Sequence, residues 1–347
     1  TSAFATMSTT SPSNPFKRTK FNSELPPSTK VIGTHSGTFQ CDEALGVWLL
    51  RQIPEYRQSK VVRTRDQEIL DKLDIVIDVG GTYEHSALRY DHHQRSFDET
   101  FDEHHTATKL SASGLVYKHY GKEVIRAHYP DLNDAQLNIA YLKMYDSFME
   151  AIDGIDTGVE IAPVCAYKDS TGLSARVGRL NPRWNEEGDD TDPDQRFEIA
   201  SDLCGRDFLG VLEYVVESQI PAIQFVEEAV LARMDVDSSG EIIKFGSGGL
   251  PWKSILYDME RKHKVDPLIK FVLYTDQGGM WRIQAVSVEG QGFTNRVSLP
   301  AEWRGVRDAD LSSIAGIPGC TFCHNSGFIG GNESYDGVLE MAKAALA

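Results

Sequence analysis

Apolar positions along the chain alternate between two habits. Lys30–His35 (KVIGTH), Lys60–Thr64 (KVVRT) and Asp74–Gly81 (DIVIDVGG) are short and nearly continuous apolar runs, which predicts buried strands. Between the first two, CDEALGVWLLRQI places Ala44, Val47, Trp48 and Leu50 at helical spacing. Between the second and third, Asp66 can cap a helix over DQEILDKL. Strand and helix in alternation predict an α/β fold with a parallel sheet and helices on both faces. KLSASGLVYKHYG and NDAQLNIAYLKMYDSFMEAIDGIDTG follow as helical segments, then Gly172–Asp194 as a polar loop, then helix from Asp194 to about Met234. After VDSSG, the runs EIIKFG, SILYDM, IKFVLYTD and WRIQAVSV read as strands between Gly, Pro and Asp turns, and GVLEMAKAALA reads as a closing helix. This predicts a 1–28 tail, a catalytic unit over 29–200, a helical connector over 201–237 and a smaller mixed α/β unit over 238–347, with no internal repeat.

Ligands of parallel sheets bind beyond the carboxyl ends of the strands. His35, Asp42 and Asp78 all fall at or just past such ends, before RYDHHQRSFDETFDEHH, which holds four of the ten histidines. The set formed by these three with some of Asp91, His92, His93, Asp153 and Asp156 mixes imidazole with carboxylate and needs no thiolate. It suits manganese, magnesium or iron better than structural zinc. Crowded carboxylates call for cations. Two divalent ions about 4 Å apart would clamp the attacking and leaving oxygens of a phosphate displacement and generate hydroxide at neutral pH.

Composition narrows the classes. A chain of 347 residues, 41% hydrophobic and 25% charged, is ordinary globular material. No apolar run approaches the ~20 residues of a membrane span. A net charge of -16 argues against an indiscriminate polyanion coat but leaves room for a local phosphate site. Five scattered cysteines point to a reducing, intracellular compartment. Cys320 and Cys323 form a lone CxxC, read as two buried thiols near a turn in the absence of a second pair. The Ser/Thr-rich start carries Lys17, Arg18 and Lys20 with no acid before Glu24, which reads as a disordered or weakly targeting tail; TSAFAT, ahead of Met7, is set aside as foreign to the fold.

DVGG and RYDHHQRSF together with THSGTFQCDEA resemble the DHH phosphoesterase superfamily, and more narrowly the Myg family of exonucleases. The likeness continues through SARVGRLNPRWN, SLPAEWRGVRDADL and CHNSGFIGGN to the C-terminus. It implies a manganese-dependent 3′–5′ exoribonuclease, with magnesium as second choice, acting on single-stranded RNA, with DNA or short oligonucleotides as other substrates, in nucleus or mitochondrion. It also implies site roles. One cation is held by His35, position 40 and Asp78. The other is held by Asp42, Asp78 as a bridge, His92 and Asp156, with Asp153 as the alternate. Asp91 orients His92, and His93 faces the scissile phosphate. Gly330 and Gly331 of GFIGGN offer backbone N–H groups to a substrate oxyanion, with His324 and Arg296 as phosphate partners. Arg176 and Arg179 are further contacts to the nucleic-acid backbone. Trp184, Trp252, Trp281 and Trp303 are stacking candidates, with core packing as the default. His104 and His105 belong to a loop near the site.

One position departs from the family pattern, which has His where this chain has Gln40. A neutral amide oxygen is a poorer ligand than imidazole, so the expectation is a slow or inactive variant that would hold substrate intact. The alternatives are a small phosphoanhydride or dinucleotide hydrolase of the same superfamily, and a protein that grips RNA without cutting it.

Overall fold

The computed structural model describes residues 29–165, 167–186 and 192–347; the tail reading over 1–28 lies outside them. The first sheet contains β1 (Val31–Thr34), β2 (Lys60–Arg63), β3 (Ile75–Ile77), β4 (Tyr83–Glu84) and β5 (Arg89–Tyr90) in the order β2-β1-β3-β5-β4. All neighbours are parallel except β4, which returns antiparallel on β5. The chain steps from β1 to one side and then to the other, so the order reverses between β1 and β3. That is the switch point where open parallel sheets form a crevice. The register Ile32↔Ile75, Gly33↔Val76 carries His35 and Asp78 to this crevice together.

Helices α1 (Cys41–Gln52) and α2 (Gln67–Leu70) connect these strands; Asp66 caps α2 by accepting from the Glu68 N–H at 2.9 Å. Cys41 through Leu50 are all buried, so α1 has no solvent face. It packs against α3 (Ala112–His128) and, much later in the chain, α7 (Pro193–Glu213). Trp48 is the hinge of that packing, 5.5 Å from the Phe208 ring and stacked on His128. Gly205 is obligatory there: a Cβ on it would stand 2.0 Å from Trp48 Nε1. Between α3 and α7 lie α4 (Asp134–Met144), a π-helical turn over Tyr145–Met149, α5 (Glu150–Asp156) and α6 (Leu173–Gly178). The region read as a loop over 172–194 thus carries a helix, whose Val177 is fully buried. The residue-200 boundary falls inside α7, whose buried face joins the first core, and that core continues past α7 as far as Ile220.

A second π-helical turn over Tyr214–Gln219 leads to α8 (Ile220–Leu231) and α9 (Arg233–Val236). The second sheet follows, from β6 (Ile242–Lys244), β7 (Phe271–Thr275), β8 (Trp281–Ala285), β11 (Cys320–Cys323) and β12 (Ile329–Asn332), in the order β11-β12-β8-β7-β6; a ribbon of β9 (Ser287–Val288) and β10 (Gln291–Asn295) stands apart. Alternation along β7 serves two cores: Val272 packs under α8 and α10 (Trp252–His263), while Phe271 and Leu273 pack under α11 (Asp308–Ala315) and α12 (Tyr335–Leu346). SILYDM, read as a strand, lies inside α10. Its buried residues Trp252, Ile255, Leu256 and Met259 follow a helical stripe that a six-residue window truncates. Cys320 and Cys323 are buried free thiols on β11. Among the described residues, no helix is long and apolar enough to cross a membrane.

Candidate active site

Four segments meet at the crevice, one of them the turn after β5 that carries His92 and His93. The first is the turn after β1. His35 is 4% exposed, and the loop that follows is pinned from outside. Asn181 brackets Phe39, accepting from its N–H at 2.9 Å and donating to its carbonyl at 2.8 Å, while Arg63 donates to the Gly37 carbonyl at 2.6 Å. Gln40 then caps α1, its N–H donating to Glu43 Oε1 at 2.8 Å. The second segment is the end of β3. Asp78 has φ 57, in the left-handed region, and its N–H donates to the Tyr90 carbonyl at 3.0 Å. Asp tolerates that conformation better than most residues, and strain of this kind collects at working sites. The third is the last turn of α5, which presents Asp156.

Asp78 faces both ways. Its Oδ2 lies 3.3 Å from His35 Nε2, which also meets Glu43 Oε1 at 3.1 Å. Its Oδ1 lies 3.2 Å from His92 Nε2, which meets Asp156 Oδ2 at 3.1 Å. His35, Glu43 and Asp78 therefore form one group of potential ligands, and Asp42, His92 and Asp156 another; Asp78, His92 and His93 form a third. In each, the donor atoms lie within 4.8 Å of one another.

The electrostatics are unbalanced. Both carboxylate oxygens of Asp42 and Oε2 of Glu43 are buried with no hydrogen-bond partner. Burial, with Asp78, Glu43 and Asp156 close by, pushes the Asp42 carboxyl well above its ordinary range. Burial opposes charge on His35 and His92 too, yet Asp78 with Glu43 lifts His35 to about 10, and Asp156 with Asp78 lifts His92 to about 10. Burial also works against the Asp78 carboxylate, and the two imidazoles hold it below its usual value. Leaving buried carboxylate oxygens unpaired costs several kcal/mol each at the scale of ~2–5. A divalent cation relieves that cost, and an imidazole–carboxylate donor set without thiolate suits manganese or magnesium. Cys41 takes no part; its Sγ lies 3.7 Å from Cys204 Sγ, on the packing side of α1.

Several sequence expectations meet a different geometry. Asp91 holds His93, not His92: its Oδ1 accepts from the His93 N–H at 3.0 Å and contacts His93 Nδ1 at 2.7 Å, because the two backbone positions form a tight local turn. Asp153 is directed away from the ligand groups. It accepts from Ser111 N–H at 3.0 Å, Ser111 Oγ at 2.7 Å and Tyr145 OH at 3.0 Å, and burial pushes it up to about 7. It anchors the helix that presents Asp156. Gly330 and Gly331 lie in the middle of β12, registered to β8 on one side and β11 on the other, so their backbone is committed to the sheet ladder. Arg296 is committed as well, to both oxygens of Glu260 at 2.7 and 2.8 Å and to the Ile269 carbonyl. Arg176 pairs with Asp207, and Arg179 donates to the Ser170 carbonyl at 2.8 Å. His324 is exposed, its Nδ1 2.9 Å from Ser326 Oγ. His105 bridges Asp102 and Asp146, while His104 stays on the surface. Trp252 and Trp303 are core residues, and Trp184 is 96% exposed.

The sequence left unmarked Glu43 as a potential ligand, Asn181 as the clamp on Phe39, and Arg65, which lines the cavity over Asp78. Glu43 was the most accessible: it stands three residues after Gln40, the spacing of a capping pair. Gln40 is exposed and lines two cavities with Thr38. One, of about 420 Å³, is walled by Phe39, Ile152, Ile155 and Ala175 above Asp42 and Asp156. The other, of about 530 Å³, is walled by Arg65, Gly80, Gly81 and His93 above Asp78.

The anchor of α5 yields a stability prediction. A Cβ on Gly114 would stand 2.3 Å from Asp153 Oδ1, so Gly114→Ala must displace a buried, three-fold hydrogen-bonded carboxylate. Overpacking of this kind outweighs the gain in helix propensity, and a net loss of about 2 kcal/mol or more is expected in denaturant unfolding. An unchanged unfolding midpoint would show that Asp153 is not such an anchor.

The whole described chain has relatives. A family model for MYG1 exonucleases, described as Uncharacterised protein family (UPF0160), matches residues 31–346. The chain is 46% identical over 342 residues to the MYG1 exonuclease of Homo sapiens, covering 96% of this chain and 89% of that protein. It is 47% identical over 345 residues to the MYG1 exonuclease of Rattus norvegicus, covering 97% and 89%. It is 45% identical over 319 residues to the MYG1 protein of Dictyostelium discoideum, covering 91% and 96%.

Proposed function

The chain belongs to the MYG1 exonuclease family, and from that premise we propose that it is a metal-dependent phosphodiester hydrolase, a 3′–5′ exoribonuclease with two cations in its crevice, slowed by Gln40. The observation that carries this reading is the two-sided carboxylate of Asp78, with His35 and Glu43 against one oxygen and His92 against the other. One cation would be held by His35 and Asp78, with Glu43 in reach and position 40 as the ligand the family pattern supplies. The other would be held by Asp42, Asp78, His92 and Asp156. Bound there, two divalent ions supply a nucleophile at neutral pH and neutralise charge developing on a phosphate.

The chain's own groups do the rest. His93 has its Nδ1 against Asp91 and is 62% exposed in its side chain, so its Nε2 is left to face a phosphate oxygen and donates to it when the ring is protonated at both nitrogens. The apolar cavity beside Asp42 and Asp156 suits a terminal nucleoside, and the Arg65–His93 cavity suits its phosphate. Single-stranded RNA as substrate, manganese as the native ion, and a nuclear or mitochondrial setting rest on the family resemblance.

Metal dependence has a readout without turnover. Manganese at ~100 times its dissociation constant should stabilise the chain by about 2.7 kcal/mol, raising Tm, with reversal by chelator. A Tm indifferent to manganese and magnesium would overturn the two-cation reading. For the reaction itself, Gln40→His is incubated with end-labelled RNA, single-stranded DNA and pyrophosphate under manganese. RNA shortened from its 3′ end supports the proposal. Pyrophosphate turnover with RNA intact favours the small phosphoanhydride hydrolase, and RNA retained uncut favours a binding protein.

A further inference from the structure

Arg65 follows β2 by two residues and reaches the same sheet edge as His35 and Asp78. Its Nε donates to the Ser36 carbonyl at 3.2 Å, and its Nη2 lies 3.2 Å from His35 Nδ1. In a chain of net charge -16, several arginines are taken up by carboxylates, among them Arg51 by Glu198, Arg63 by Asp194 and Arg296 by Glu260. Among the described residues, Arg65 forms no such ion pair, although it stands in a cavity over Asp78.

The Nε contact to Ser36 ties the base of the guanidinium, and the side chain lines the cavity shared with Gly80, Gly81 and His93.

We propose that Arg65 is the phosphate-binding side chain of this site, placed to grip the non-bridging oxygens of the phosphate carried by the released mononucleotide. The guanidinium fork matches two phosphate oxygens, and its charge offsets the acidic surroundings that would otherwise repel a nucleotide. The inference rests on reading the crevice as a phosphodiester hydrolase site.

The test uses the full chain loaded with manganese, as Arg65→Gln and Arg65→Lys. Calorimetry measures manganese binding, then binding of adenosine 5′-monophosphate, with adenosine as the control lacking phosphate. Manganese affinity should stay within about twofold in both variants. Affinity for the monophosphate should fall at least about tenfold in Arg65→Gln and less in Arg65→Lys, with adenosine unaffected. Unchanged monophosphate binding in Arg65→Gln would overturn the proposal. So would a parallel loss of manganese affinity, which would make Arg65 a positioning group for His35. Because the readout is binding, it remains decisive if the chain proves to cut no RNA; absence of cutting by Gln40→His would count against the hydrolase reading alone.

Discussion

Asp78→Asn is expected to reduce phosphodiester hydrolysis by at least about 10³-fold, and to reduce bound manganese from two ions to one or none. The substitution is chosen for its backbone. Asp78 sits at φ 57, and Asn is the other side chain that accepts this conformation readily, so the turn after β3 survives the change. Asp78→Ala would add strain at the turn and confuse the result. What Asn cannot do is offer an anionic oxygen to each side. Its single carbonyl oxygen would face either the His35 group or the His92 group, and its amide would meet an imidazole on the other. The loss should be measured in the Gln40→His background, where the starting rate leaves room for it, with ions counted by elemental analysis and folding checked by Tm. Two ions retained at full affinity would show that Asp78 is not the shared ligand.

Gln40→His is expected to raise the hydrolysis rate about 10–100-fold, with tighter manganese binding. Nothing in the packing resists the change. Gln40 is exposed, its backbone is held by Glu43, and its neighbour Phe39 is held by Asn181, so a new side chain enters a fixed frame. The ring would join His35 and Asp78 at a place where Glu43 Oε2 is still unpartnered. Steady-state rates on end-labelled RNA, paired with manganese titrations, are the measurement. Equal rates and equal occupancy in the two chains would mean that Gln40 is a neutral substitution and that Glu43 already completes the site.

The parallel sheet was readable because β1 and β3 are buried on both faces, which makes them continuous apolar runs. Once strand order is known, placing His35 and Asp78 at one edge needs only that ligands collect beyond strand ends. Asp153 and Asp156 could not be separated in the sequence because residues three apart lie close on a helix surface. Only the bonds from Ser111 and Tyr145 show that Asp153 is the anchor. Glycines 330 and 331 read as an open cradle because glycine serves both turns and crowded strands, and the ladder on either side is a tertiary fact. Arg65 was silent for a similar reason: an arginine in a turn signals nothing until its lack of a carboxylate partner is seen.

The burial of α1 on every side also sets an order of events. Every proposed ligand has been synthesised once residue 156 leaves the ribosome, but the helix that carries Asp42 lacks its second wall until α7 is made. A nascent chain stopped before Pro193 leaves Trp48 without Phe208 and without the close approach of Gly205. Such a chain would hold a nearly complete set of ligands on an open core, with apolar surface available to chaperones or to other chains. Closure across more than 140 residues is slow compared with local helix formation. Metal capture should therefore lag synthesis, and the arrival of α7 is the step at which an acidic cluster becomes a rigid site.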